Sequence, residues 1–115
     1  MKKDVLDNAV RSGRTLVYHY IGVFYYSPSD EFDVFCNRLR YFPGNYLCIA
    51  AVDCTDPESA FRCTQDWDGR RSTSHGDLVR TPDGKWWLCL RVGWKDVTSI
   101  IYFHIRDTAW ASLAF

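Results

Sequence analysis

The sequence predicts an α+β domain. Its expected core is a four- to five-stranded mixed sheet with one βαβ unit and a C-terminal antiparallel hairpin, helices lying mainly on one face. Three observations carry this. Two β-branched and aromatic runs, residues 14–26 and 46–52, flank a segment whose apolar residues recur at helical spacing. The turn signal Pro82-Asp83-Gly84 precedes another aromatic run, residues 85–92. The length of 115 residues suits a single domain, 1–115, able to bury a core.

In chain order, residues 4–11 can form a short helix with Val5, Leu6, Ala9 and Val10 as its stripe, and Ser12-Gly13 ends it. The run 14–26 is apolar on both alternating faces, which marks a central strand covered on both sides; Gly22 inside it suggests a bulge. Ser27-Pro28-Ser29-Asp30 opens a helix, because proline fits the first turn and Asp30, Glu31 and Asp33 suit its positive end. Phe32, Phe35, Cys36 and Leu39 share one face, and Pro43-Gly44-Asn45 stops the helix. Residues 46–52 form a second buried strand, so strand, helix and strand read as a βαβ unit with a right-handed crossover. Asp56-Pro57-Glu58 starts a further helix with Ala60, Phe61 and Cys63 turned inward. Residues 64–75 become a polar loop, and a short strand at 78–80 is expected before the Pro82 turn. Residues 85–92 and 97–105 pair across a turn at 93–96, with Trp86, Leu88, Leu90 and Val92 facing the core. Asp107-Thr108 caps a last helix that docks Trp110 and Leu113.

Composition narrows the function classes. The apolar fraction of 47% and charged fraction of 24% are those of a globular chain and argue against disorder. Fourteen basic residues balance fourteen acidic ones, which argues against a generic nucleic-acid binder and against an acidic nucleic-acid mimic. The charge is unevenly placed: residues 27–60 lean acidic and residues 62–95 lean basic. The longest apolar run, residues 16–26, is too short for a membrane helix, which takes about 20 residues. With Asp4 and Asp7 following Lys2 and Lys3 at once, no export signal is expected, and the chain reads as cytoplasmic with no membrane partner.

Five cysteines, Cys36, Cys48, Cys54, Cys63 and Cys89, are odd in number and contain no CxxC, so they read as reduced structural thiols. The nearest approach to a zinc set, Cys54, Cys63 and His75, is too widely spaced for the common modules. No metal and no cofactor are expected.

The aromatic fraction of 17% exceeds what so small a core needs, and surplus aromatics point to a recognition surface. Two segments concentrate the relevant residue types. The loop 67–77 holds Trp67, Arg70, Arg71, His75 and Asp77. Paired arginines can grip an anion, and His75, oriented by Asp77, can move a proton. The alternative is a solvated loop whose charges pair locally. Alternation on the hairpin places Trp87, Cys89 and Arg91 on one face, with Trp94 and Lys95 at its end, and Trp and Arg dominate binding hot spots. The alternative there is a covering helix, with Arg91 reaching past it to water. His19 and His104 lie in apolar strands and read as satisfied core residues. No Gly-rich phosphate loop, GxSxG or HExxH occurs.

These observations favour a small non-catalytic module that binds a protein partner through Trp67, Arg70, Arg71, Trp87, Arg91, Trp94 and Lys95. Such a domain suits an inhibitor acting by occlusion, of the immunity-protein or phage-antagonist type. One competing expectation is a small enzyme or ligand-binding domain acting on a nucleotide or other anion through Arg70, Arg71 and His75, with Asp77. Another is single-strand nucleic-acid binding on the Trp–Arg stripe, which the neutral charge disfavours. Closure of the same stripe into a homodimer is a further alternative.

Overall fold

A computed structural model describes residues 8–21, 31–67, 69 and 71–100. The strands are β1 (Thr15–Tyr20), β2 (Tyr46–Val52), β3 (Leu78–Arg80), β4 (Trp86–Cys89) and β5 (Trp94–Asp96), in one sheet of order β2-β1-β3-β4-β5. The helices are α1 (Glu31–Tyr41) and α2 (Pro57–Cys63), preceded by a helical turn at residues 8–11. The fold is therefore α+β. Among the described residues, however, every strand pairing is antiparallel, and the sheet is not mixed.

The expected βαβ unit does not form. β1 and β2 are neighbours, but they run in opposite directions, with Thr15 opposite Val52 and Tyr20 opposite Tyr46. The reason lies at the end of α1. A single 3₁₀ turn over Pro43–Asn45 leads into β2, and the Ile21 N–H donates to the Asn45 carbonyl at 2.8 Å. The chain thus re-enters the sheet at the end it left, whereas a parallel crossover must return to the opposite end. A register shift between Val17 and Tyr18 of β1 puts the consecutive residues Ile49 and Ala50 into the same core cluster, as a β-bulge does.

Alternation along β1 builds two cores. Leu16, Tyr18 and Tyr20 join Phe35, Leu39, Tyr46, Trp86 and Leu88 on one face. Val17 joins Ile49, Ala60 and Val79 on the other. All six residues of β1 are buried, as the two-sided apolar pattern requires. The helices accordingly divide: α1 and the turn at 8–11 cover the first face, and α2 covers the second, which departs from a one-sided arrangement.

α1 carries Glu31 and Asp33 in its first turn and Arg38 and Arg40 in its last, which suits the helix dipole. Of its predicted stripe, Phe35 and Leu39 are fully buried, each contributing roughly 1.5–3 kcal/mol of burial energy, so these two anchor the helix. Cys36 is half-buried and Phe32 is 41% exposed. Arg38 is buried as well, with its guanidinium 4.4 Å from the centre of the Tyr20 ring.

The hairpin is real, but its turn comes earlier than expected. β4 stops at Cys89, the Leu90 N–H donates to the Gly93 carbonyl at 3.0 Å, and Gly93 takes φ +79°. Trp94 and Lys95, expected in the turn, are strand. Val92, expected in the core, sits on the turn and is 90% exposed. Val97 continues the ladder by donating to Trp86 O at 2.8 Å, after which Thr98–Ile100 forms a 3₁₀ turn. Residues 101–105, the last helix, His104, Gly22 and Arg70 lie outside the described residues.

Candidate binding cleft

α2 begins where the sequence places its signals. Asp56 is the N-cap, accepting from Ser59 N at 2.9 Å, and Pro57 follows in the first turn. This sets Glu58 and Phe61 on the side facing β5. Trp94 Nε1–H donates to Glu58 Oε2 at 3.1 Å, and the Trp94 and Phe61 rings meet in a T-shaped contact at 6.2 Å and 84°.

The segment after α2 is polar but not a loosely solvated loop. Thr64 Oγ1 donates to Ala60 O at 2.9 Å and lies 2.6 Å from Thr73 Oγ1, which in turn lies 2.9 Å from His19 Nε2. Gln65 Nε2 donates to Thr73 O at 2.8 Å, and Trp67 Nε1 donates to Arg71 O at 3.3 Å. These bonds stitch residues 64–67 to 71–73.

Asp77 ends this segment and is fully buried. Its carboxylate accepts from Tyr20 N and Ser74 N, each at 2.9 Å, and from the Arg71 guanidinium at 2.9 and 3.0 Å. Arg71 also donates to Tyr20 O at 3.1 Å. The sequence expectation paired Asp77 with His75. His19 Nε2 lies 3.8 Å from Asp77 Oδ2, on a carboxylate where the Arg71 guanidinium and two backbone N–H groups already converge. Next to it, Gly76 takes φ +93°, and a Cβ there would lie 2.9 Å from Phe35 Cε1. Only glycine fits both demands.

Between α2, residues 72–75 and the β4–β5 turn lies a cleft of about 430 Å³, lined by Glu58, Phe61, Thr73, His75, Arg91 and Trp94 among others. It unites members of the two segments that the sequence singled out: His75 from one, Arg91 and Trp94 from the other. Trp67 and Trp87 pack half-buried against the same-side core, and Trp87 Nε1 donates to Thr81 Oγ1 at 3.1 Å. Lys95 projects the other way, its ammonium 5.9 Å from the Phe32 ring centre. The Arg91 backbone N–H donates to Glu31 Oε1 at 2.9 Å, which ties the cleft's lip to the start of α1. Sequence reasoning missed Glu58, which reads as an ordinary first-turn acid, and Val92, which alternation assigns to the core.

Burial pushes the Cys89 thiol at the cleft floor up to about 12, and the carboxylates of Asp77, Glu58 and Glu31 add to the shift, so it stays protonated at neutral pH. Among the described residues, no three His, Cys, Asp or Glu side chains are placed to hold a metal ion. None of the described helices is long and apolar enough to cross a membrane. No family model, curated protein or solved structure matches the chain.

Proposed function

We propose that the chain is a small protein-binding module that inhibits its partner by occlusion, and that its contact surface centres on the cleft between α2 and the β4–β5 turn. One observation carries the reading: a Trp–Phe wall, a carboxylate and an arginine surround one open cleft, with Val92, 90% exposed, on the adjoining turn. Clustered aromatics and arginine at a concavity are what hot spots are made of. A volume of about 430 Å³ also falls in the range of small-ligand sites. That size keeps a ligand-binding reading in play, though Arg71, one of the expected anion grips, is engaged with Asp77.

The test is capture by the tagged protein from native cytosol, with and without nuclease, using wild type and Val92→Asp. A stoichiometric protein retained after nuclease treatment and lost with Val92→Asp supports the module. Since Val92 is almost fully exposed, its substitution leaves the fold intact. Equal capture by both proteins, or recovery of nucleic acid alone, counts against it.

A further inference from the structure

We propose that the cleft receives a basic side chain, an arginine or lysine of the partner protein, with its cation held between the Trp94 indole and the Glu58 carboxylate. This deepens the protein-binding reading and rests on it. A cation over an aromatic face next to a carboxylate gains from the ring quadrupole and from the ion pair together.

The geometry supplies each part. The bond from Trp94 Nε1–H to Glu58 Oε2 at 3.1 Å fixes the indole orientation and holds the carboxylate beside the ring edge. The T-shaped contact with Phe61 covers at most one ring face, which leaves aromatic surface to the cleft. Glu58 keeps 53% of its side chain exposed, so its second oxygen is reachable. Arg62 lies 3.8 Å from that oxygen, but it is 75% exposed and one helical turn away, a weak pair that an entering cation displaces.

The charges around the cleft point the same way. Arg71 of the polar segment is engaged with Asp77 and Tyr20 O. Of the carboxylates that push up the floor thiol of Cys89, Glu58 lines the cleft. Arg91 is exposed at the mouth, where water screens it. A cation entering beside the Trp94 ring meets the Glu58 carboxylate, the carboxylate among the residues that line the cleft.

The experiment is a heteronuclear NMR titration of the full chain that follows the Trp94 indole N–H signal. The probes are N-acetyl-arginine amide, its uncharged analogue N-acetyl-citrulline amide, and N-acetyl-glutamate amide. The expected result is a saturable shift with arginine and affinity weaker by about tenfold or more for the other two. Glu58→Gln keeps an acceptor for the indole and preserves signal dispersion, yet it loses the preference for arginine over citrulline. Equal response to arginine and citrulline, preference for glutamate, or no shift with any probe overturns the inference. Capture of a Val92-dependent partner without arginine preference overturns the cation site and leaves the module standing. Arginine preference without a captured protein supports the cation site and overturns the module.

Discussion

Asp77 gives the sharpest quantitative prediction, because the structure makes it a structural anchor. Consider Asp77→Ala. The wild-type carboxylate is fully buried and receives four hydrogen bonds between 2.9 and 3.0 Å, from Tyr20 N, Ser74 N and both terminal nitrogens of Arg71. Truncation leaves two N–H groups without an acceptor and a guanidinium without its counter-ion. Breaking a buried pair from one side costs about 3–5 kcal/mol. A domain has roughly 5–15 kcal/mol in all, so the variant sits near the edge of folding. The melting temperature should fall by roughly 12–25 °C. Arg71→Ala should cost about as much, about 3–5 kcal/mol, because it leaves the fully buried Asp77 carboxylate with two backbone donors and no counter-ion. Urea unfolding followed by tryptophan fluorescence, on both single variants and the double variant, reads these values. A coupling of about 1–3 kcal/mol is expected. If Asp77→Ala stays within about 0.5 kcal/mol of wild type, or the two changes simply add, the anchoring argument is wrong.

Further outcomes follow from the same contacts. Gly76→Ala should cost about 1–3 kcal/mol by thermal unfolding, since φ is +93° and the new methyl would press on Phe35. With a thiol reagent at neutral pH, exposed Cys63 should react in the native state, whereas buried Cys48 and Cys89 should react only as the protein opens. Burial holds Cys48 and Cys89 at about 12 against an ordinary 9.0. Their contribution is therefore whole below about 9 and lost as pH rises from there toward 12, which an alkaline unfolding series will show as a falling midpoint. At the acid end, hydrogen bonds from Ser59, from Thr81 and from Thr98 hold Asp56, Asp83 and Asp96 below the usual carboxylate range. Their stabilisation is present at neutral pH and lost as pH falls through those lowered values, so Asp83→Asn and Asp96→Asn should flatten the acid limb.

Local signals were legible where a residue's own neighbours decide its state. Asp56-Pro57 marks α2, Pro43-Gly44-Asn45 ends α1, and the two-sided apolar run predicts the burial of β1. Strand direction was not legible, because a strand–helix–strand order serves both a crossover and an antiparallel return. The hydrogen bond between Ile21 and Asn45 settles it and has no sequence signature. The hairpin slipped because Gly93 fits either end of a turn and Val92 keeps the alternation going past the strand. The cleft was half legible. Residue type flagged His75, Arg91 and Trp94 one by one, but Glu58 becomes part of the site only through a contact between α2 and Trp94 on the edge strand. The anchoring of Asp77 was not legible for the mirror reason: two of its donors are backbone groups, which carry no residue-type signal.

Parallel capture from native cytosol with wild type and Val92→Asp, after nuclease treatment, tests the protein-binding module. One stoichiometric protein is expected with wild type and none with the variant, the two proteins melting at the same temperature. Retention of the same partner by Val92→Asp, or nucleic acid alone that washes off at higher salt, would contradict it.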